Sequence, residues 1–260
     1  MTSQLLGGID QVCVGARDFD ATTRFFVDGL GLTVVGEGTV AGLSYAELWS
    51  IPVERQLRVR VVGHPEVARG RVRIVEALLP APPAIQLTDL GIFDVDFLCR
   101  DLDALCHRVR SVGFSIWTEP RSYQVGAVTV REAIAEPPDG LRSALIQDTG
   151  SASALRDHPD LAVSEATITA VGVDDVHRGL AFYRSVFSLE PLRVFEIRND
   201  DLNELLMLPK EVTLRVALLE MPPTRLELIA VVAGPGRKHD IRIAPASPAG
   251  WLSGERGKGS

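Results

Sequence analysis

Two aspartates lie two residues apart in the apolar segment at residues 92–99, IFDVDFLC. An apolar segment of this length predicts a β-strand, in which Asp94 and Asp96 project from the same face because side chains alternate. Two neighbouring carboxyl groups in a cleft titrate at different pH values, so one can hold a proton while the other is ionised. The pair therefore predicts a general acid and base, or, if the strand lies at a sheet edge, a solvated Asp96.

Aromatic and acidic side chains in two other segments could line a pocket. The alternation in residues 43–49 predicts a strand with Tyr45, Glu47 and Trp49 on one face, and Trp117 lies in another predicted strand. Aromatic rings in such positions form the walls of sites for planar ligands, and packing in a core is the competing interpretation. Glu47 also precedes a turn that ends in proline, which favours a structural role for it.

Other catalytic motifs are absent from the sequence. The five histidines fall in predicted loops, on a helix surface or in the C-terminal tail, and there is no GxSxG, P-loop or GxGxxG pattern. The sequence therefore predicts neither a nucleophile elbow nor a nucleotide-binding loop, and it predicts no cofactor.

Composition and charge restrict the class of protein. The chain has 260 residues, of which 46% are hydrophobic, so it can fill a substantial core. A net charge of −7 without a basic run argues against nucleic acid as a partner. No segment resembles a signal peptide or a membrane span, and Cys13, Cys99 and Cys106 have no CxxC spacing. We therefore expect a cytoplasmic protein with no membrane partner and with free, buried thiols.

A repeated segment positions the candidate residues. Residues 8–32 return in similar form at residues 167–189, with Asp18 matching Asp175, and a weaker third copy covers residues 92–114. Each copy has an apolar strand, an aspartate that can cap a helix, and an amphipathic helix followed by strands, which predicts βαβββ modules. In the first copy the apolar segments predict strands at residues 9–16, 32–39, 43–49, 57–63 and 72–79.

These modules resemble the vicinal oxygen chelate superfamily, which includes glyoxalase I, extradiol dioxygenases and bleomycin resistance proteins. The resemblance covers residues 8–232 and rests on the helix entry DFDATTRFF, the aromatic pair inside that helix and the PPDG turn at residues 137–140. It implies an α+β fold, in which βαβββ modules form half-barrel mixed sheets with the helices outside. Two consecutive modules would enclose one cleft.

The resemblance also implies a domain organisation. Residues 7–148 would form one complete domain of two modules, and residues 149–163 would be a linker. Residues 164–233 would form a third module, an incomplete second domain, before a flexible or truncated tail at residues 234–260. An unpaired module leaves an apolar sheet face uncovered, so a homodimer is expected.

The family holds a metal with residues of the first and last strands of each module, usually His and Glu. Counting back from the aspartate that opens each helix gives Gln11, Asp94 and Ile168 as the matching first-strand residues. The last-strand matches are Arg73, Ala144 and Glu227. No His stands at any of these positions, and Glu227 could be a remnant or an exposed strand residue.

In the first two modules, this resemblance places Gln11, Arg73 and Asp94 in one cleft. A guanidinium beside two oxygen ligands would repel a cation, so we expect no bound metal. Arg73 could bind a ligand oxygen in the place of the metal, form a closed ion pair with Asp94, or point out of the sheet. These three alternatives remain open on the sequence alone.

Two functions are compatible with these residues. The first is a metal-independent protein that binds a small hydrophobic or aromatic metabolite, for sequestration, resistance or secondary metabolism. The second is an enzyme, either a metal-free lyase or isomerase that uses Asp94 and Arg73, or a metal-dependent enzyme similar to glyoxalases or dioxygenases. The missing histidine ligands favour the first.

Overall fold

A computed structural model of the chain describes residues 7–49, 52–76, 87–150 and 154–234. Within them the chain folds into three βαβββ modules. Module one comprises β1 (Gln11–Ala16), α1 (Phe19–Arg24) with a π-helical continuation (Phe25–Gly29), β2 (Thr33–Val40), α2 (Leu43–Trp49), β3 (Leu57–Gly63) and β4 (Arg71–Glu76). Module two comprises β5 (Gly91–Cys99), α3 (Leu102–Ser111), β6 (Ser115–Val125), β7 (Val128–Glu136) and β8 (Arg142–Gln147). Module three follows a short helix, α4 (Ala154–Asp157), and comprises β9 (Val163–Gly172), α5 (Val176–Phe187), β10 (Pro191–Ile197), α6 (Asp200–Leu205), β11 (Thr213–Met221) and β12 (Thr224–Ala233).

An aspartate begins the first helix of each module, as the repeat predicts. The Asp18 carboxylate accepts a hydrogen bond from the Ala21 amide at 2.9 Å, and Asp101 accepts one from the Ala104 amide at the same distance. Asp175 accepts bonds from two amides of α5. These bonds satisfy amide groups that have no partner inside the helix, and so they fix where each helix starts.

The modules combine into two sheets. Module one forms a four-stranded sheet in the order β1-β4-β3-β2. Modules two and three form one eight-stranded sheet in the order β10-β11-β12-β9-β5-β8-β7-β6. Their first strands, β5 and β9, pair antiparallel, with Asp94 opposite Ala170 and Asp96 opposite Ile168.

This pairing differs from the sequence-based expectation, in which modules one and two share a cleft and module three has no partner in the chain. A strand has two edges, and β5 uses one for β8 of its own module. Its other edge can take only one further strand, and β9 of module three occupies it. The repeat alone does not indicate whether the first strand of module one or that of module three pairs with this edge of β5.

Module one packs through its helix on the face of the eight-stranded sheet that is opposite to the Asp94 and Asp96 side chains. The Phe26 ring lies 6.2 Å from the Phe97 ring of β5, and the Phe25 ring lies 5.5 Å from the Phe114 ring. All of these side chains belong to or pack against one buried cluster that extends over modules one and two. Helices therefore separate the four-stranded sheet from the eight-stranded one.

The predicted strand at residues 43–49 is wrong, because the structure has helix α2 there. Leucine, alanine and glutamate in this segment favour a helix, and they outweigh the apparent alternation. Residues two apart in a helix point in different directions. Glu47 therefore does not share a face with Tyr45, and the side chain of Trp49 lies outside the described part.

Asp139 in the turn before β8 connects modules one and two. Its buried carboxylate accepts hydrogen bonds from the Arg17 amide at 3.1 Å, from Arg17 Nε at 3.2 Å and from the Thr22 hydroxyl at 2.6 Å. Asp139→Ala leaves these donors without their acceptor, so we expect the free energy of unfolding to fall by about 2–4 kcal/mol.

Denaturant unfolding of both proteins measures this loss. Asp103→Ala is the matched control, because its partner is Arg131 in an exposed ion pair, and we expect a change within about 1 kcal/mol. Equal effects of the two substitutions would contradict a connecting role for Asp139.

Candidate functional site

A cavity of about 340 Å³ lies on the curled eight-stranded sheet, between modules two and three. Strands β5 and β9 form its floor, and strands of both modules together with α6 form its walls. Most of the lining is apolar, with side chains that include Leu98, Val125, Val130, Ile146, Ile168, Phe195, Leu206, Val216 and Ile229. A cavity of this size and character fits a small organic molecule.

Four carboxyl groups face this cavity from three strands: Asp94 and Asp96 on β5, Glu132 on β7 and Glu227 on β12. Asp94, Asp96 and Glu132 are each at most 6% exposed, and Glu227 is half-buried. The Tyr123 hydroxyl donates a hydrogen bond to Glu132 Oε2 at 2.5 Å. Asp94 Oδ1 is buried and has no hydrogen-bond partner within the described residues.

Burial changes the proton affinity of all four groups. It raises the pKa of Asp94 well above its usual range, and the charges of Glu132 and Glu227 raise it further. Burial likewise raises the pKa of Asp96, followed by the charge of Asp94, with which Asp96 shares a hydrogen bond. Asp94 and Asp96 therefore keep their protons to higher pH than ordinary aspartates do, and a protonated carboxyl of the pair can act as a donor.

The two glutamates titrate near neutrality. Burial raises the pKa of Glu132 to about 7, although the hydrogen bond from Tyr123 works in the opposite direction. Burial, and then the charge of Glu132, raises the pKa of Glu227 to about 7. At neutral pH the cavity therefore contains both protonated and ionised carboxyl groups.

No positive side chain balances this cluster within the described residues. None of the ion pairs there involves Asp94, Asp96, Glu132 or Glu227. Arg193 and Arg225 belong to the lining, and the Arg193 guanidinium lies over the Phe195 ring at 5.6 Å. The groups that shift the carboxyl pKa values are other carboxyls and Tyr123, not these arginines.

The structure brings together only some of the residues singled out from the sequence. Asp94 and Asp96 share the cavity, as their spacing predicts, and Asp96 is not at a solvated edge. Gln11 and Arg73 lie in the other sheet, where Arg73 Nε donates to Gln11 Oε1 at 2.6 Å. The closed ion pair between Arg73 and Asp94, one of the three alternatives for Arg73, is therefore not formed.

The aromatic residues also lie elsewhere. Trp117 packs beside the cavity rather than lining it, and the buried Arg142 guanidinium lies 4.1 Å from its ring centre. Tyr45 and Glu47 belong to α2 of module one and do not line the cavity. Trp117 thus fits the core interpretation, whereas the walls of the cavity are mainly aliphatic.

Sequence reasoning missed Glu132 and Tyr123 and undervalued Glu227. A signal for Glu132 was present, because it lies between Val130 and Ile134 on the inward face of β7. A charged residue at such a position is rarely buried without a reason. The position of Glu227 near Asp94 and Asp96 becomes evident only once β12 is known to share a sheet with β5.

The family's metal positions in this sheet do not suit a metal. They are occupied by Asp94, Ala144, Ile168 and Glu227, so two of the four side chains offer no ligand atom. Among the residues that the structure describes, no group of three or more His, Cys, Asp or Glu side chains is arranged to hold a metal ion. The donor set does not fit a catalytic divalent metal, which needs at least three protein ligands.

The repeated modules, the curled mixed sheet and the cavity on it define an α+β fold of the vicinal oxygen chelate type. The sequence matches the model of the Glyoxalase/Bleomycin resistance protein/Dioxygenase superfamily over residues 8–145, which is more than half of the chain. The chain belongs to this superfamily. The matched segment covers modules one and two, whereas the cavity lies between modules two and three.

Two solved structures are similar to this chain at low sequence identity. Glyoxalase I from Zea mays is 16% identical, with a TM-score of 0.61 over 87% of this chain and 68% of that one. TnmS3, an antibiotic-binding protein from Streptomyces sp. CB03234, is 18% identical, with a TM-score of 0.40 over 56% of this chain and 100% of its own. No curated protein matches the sequence.

Within the described residues, no helix combines the length and apolar character needed to cross a membrane.

The raised pKa values predict a pH dependence of stability. A carboxyl group with a raised pKa in the folded state binds its proton more tightly there than in the unfolded chain. Glu132 and Glu227, raised from 4.5 to about 7, therefore contribute stability that is present below pH 4.5 and lost as the pH rises to about 7. For Glu132 this loss amounts to about 3 kcal/mol.

Glu132→Gln isolates this contribution. Its free energy of unfolding should fall less steeply between pH 4.5 and pH 7 than that of the wild type, as measured by denaturant titrations at several pH values. Glu119→Gln, at an exposed position, should keep the wild-type slope. Parallel curves for the wild type and Glu132→Gln would refute the raised pKa of Glu132.

Proposed function

We propose that the protein binds a small, largely apolar molecule in the cavity between modules two and three, without a metal. The observation that carries this proposal is the combination of apolar walls with a buried polar cluster on one side of the cavity. Apolar surface supplies affinity, and a few fixed polar groups select the ligand and its orientation. Sequestration, resistance and secondary metabolism are roles that such binding would serve.

The carboxyl groups have a defined part in this proposal. The pKa values of Asp94 and Asp96 are raised well above the usual range, so in their protonated form these groups can donate hydrogen bonds to a ligand, while Glu132 and Glu227 change charge near neutral pH. Asp94 Oδ1 is the clearest contact for a ligand, because within the described residues nothing else satisfies it. Burying such an atom without a partner is unfavourable, so a ligand that supplies one gains affinity.

Catalysis is the second candidate, and the shared hydrogen bond of Asp94 and Asp96 favours it. A carboxyl pair that shares a proton can act as general acid and base in a metal-free lyase or isomerase. Arg73 has no part in this version, because it belongs to the other sheet. A metal-dependent glyoxalase or dioxygenase reaction is the weaker form, since the donor set does not fit the metal.

A fluorescent probe tests the binding proposal. N-phenyl-1-naphthylamine is a neutral, apolar molecule whose emission increases in apolar sites, and we expect saturable binding of one probe per chain. Ile168→Trp enlarges a side chain that lines the cavity, so we expect affinity to fall by about tenfold or more. Circular dichroism of the variant checks that it is folded.

Val186→Trp is the matched control, because it adds the same indole at an exposed position of α5. Equal probe affinity in Ile168→Trp and Val186→Trp would contradict binding in this cavity. Metabolites that compete with the probe are then recovered after incubation: an unchanged ligand supports binding, and a chemically altered one would favour the enzyme.

We also propose a homodimer, now through module one rather than module three. In the described structure β1 pairs with β4 on one side, and no strand occupies its other edge. The equivalent strands β5 and β9 use that edge to pair with each other. Two copies of β1 in the same register would place Gln11 of one chain opposite Cys13 of the other.

An engineered disulfide tests this dimer. Residues directly opposite in antiparallel strands have Cα atoms about 4.5–5.5 Å apart, which is within reach of a disulfide. Oxidised Gln11→Cys should therefore run as a covalent dimer on non-reducing gels. The control is the same variant with Cys13→Ser, which should stay monomeric on the gel. Absence of cross-linking, together with a monomer in sedimentation, would contradict the proposal.

A reducing compartment suits the three free cysteines, of which Cys99 and Cys106 are buried in module two and Cys13 is half-buried in module one. Their thiols have pKa values raised by burial, to about 12 for Cys99 and about 11 for Cys106. These thiols are therefore protonated at neutral pH and serve as core side chains. We propose a cytoplasmic location on this basis.

A further inference from the structure

Among the residues that the structure describes, no positive side chain forms an ion pair with the carboxyl cluster in the cavity. Asp94 is 5% exposed, lines the cavity, and has one carboxyl oxygen without a partner in the described part of the chain. The titratable and charged groups that line the same cavity are Asp96 on β5, Tyr123 on β6, Glu132 on β7, Arg193 on β10, and Arg225 and Glu227 on β12, with Asp148 after β8. Neither arginine forms an ion pair with the cluster, so its charge is unbalanced whenever it ionises.

We propose that the ligand of this cavity is an apolar molecule with a protonated amine, whose ammonium group lies beside Asp94 and supplies the missing positive charge. This inference rests on the proposed function, since it specifies the ligand class of the same cavity. The apolar remainder of the ligand would occupy the space between the aliphatic walls of β6, β7, β10 and β11.

An ammonium group fits the geometry better than the other polar groups a small ligand can carry. It has three donors and no acceptor, so it can bond to Asp94 Oδ1 and to a second carboxyl at the same time. Hydrogen bonds between charged partners are shorter and stronger than neutral ones. A ligand carboxylate would instead add a further negative charge to a cavity that five acidic side chains line.

Binding of the amine is coupled to proton release. A carboxyl group of the cluster must give up its proton to form the ion pair, so protons and the ammonium group compete for the same site. Glu132 and Glu227 ionise around pH 7, and the cluster becomes more negative as the pH rises through that value. The affinity for an amine should therefore increase from pH 5 to pH 8.

Three ligands of one shape test the inference: 1-naphthylmethylamine, 1-naphthylmethanol and 1-naphthylacetic acid, each used to displace N-phenyl-1-naphthylamine. At pH 8 we expect the amine to displace the probe at a concentration about tenfold or more below that of the alcohol. At pH 5 this preference should fall below about threefold, and the acid should compete more weakly than the alcohol at pH 8.

Variants separate charge from shape. Asp94→Asn and the double variant Glu132→Gln, Glu227→Gln keep the size of the side chains but remove negative charge. Within each variant, the ratio of the displacing concentrations of alcohol and amine at pH 8 should fall toward one, whatever the absolute affinity of the variant for the probe. Glu119→Gln, an exposed acid on β6, should retain the preference.

The outcomes distinguish the two proposals. Equal affinities of the wild type for amine and alcohol at pH 8 would overturn the amine inference and leave the proposed binding function intact. A preference that survives in both carboxyl variants would also overturn it. If the probe and all three competitors fail to bind, the proposed function and this inference are both contradicted.

Discussion

The antiparallel pairing of β5 with β9 is the contact on which the rest of this structure depends. It joins the sheets of modules two and three into one sheet and sets Asp94 opposite Ala170 and Asp96 opposite Ile168. The cavity exists only because the two half-sheets curl around this seam. Burial there, in turn, raises the pKa values of the aspartates. Without this pairing the same two side chains would be solvated on an edge strand, with ordinary acidity.

The seam also explains why acidic side chains occupy an otherwise apolar place. Burying an ionised carboxylate without a partner is very unfavourable, whereas burying the protonated acid is much less so. Asp94 and Asp96 share a hydrogen bond, and Tyr123 donates one to Glu132, so part of the lost hydration is replaced. Apolar side chains of similar size would give a more stable sheet at these positions. The presence of acidic residues at these positions therefore favours a role in recognition over a role in folding.

Local and periodic features of this fold follow from the sequence, and the long-range pairing does not. The repeat predicts three modules, and Asp18, Asp101 and Asp175 begin helices because capping depends on neighbouring amides alone. Strand alternation also places Asp94 and Asp96 on one face. The matched aromatic residues show the limit: Phe25 is fully buried against module two, whereas its equivalent Phe182 is 52% exposed. The same residue type meets different surroundings, which only the packing of whole modules decides.

The acidic cluster also depends on long-range pairing, and its negative charge must be balanced. Glu227 and Glu132 join Asp94 only when β12, β7 and β5 share a sheet, so no single segment of sequence predicts the cluster. Carboxyl groups gathered in such a cleft can be balanced by a metal ion, by protons or by a cation of the ligand. Two of the four family metal positions, Ala144 and Ile168, lack ligand atoms, and no three acidic side chains of the described residues are arranged to hold a metal ion, which removes the first solution. At low pH, protons neutralise the carboxyl groups. The glutamates ionise near pH 7, so at higher pH a cationic ligand is the remaining way to balance their negative charge.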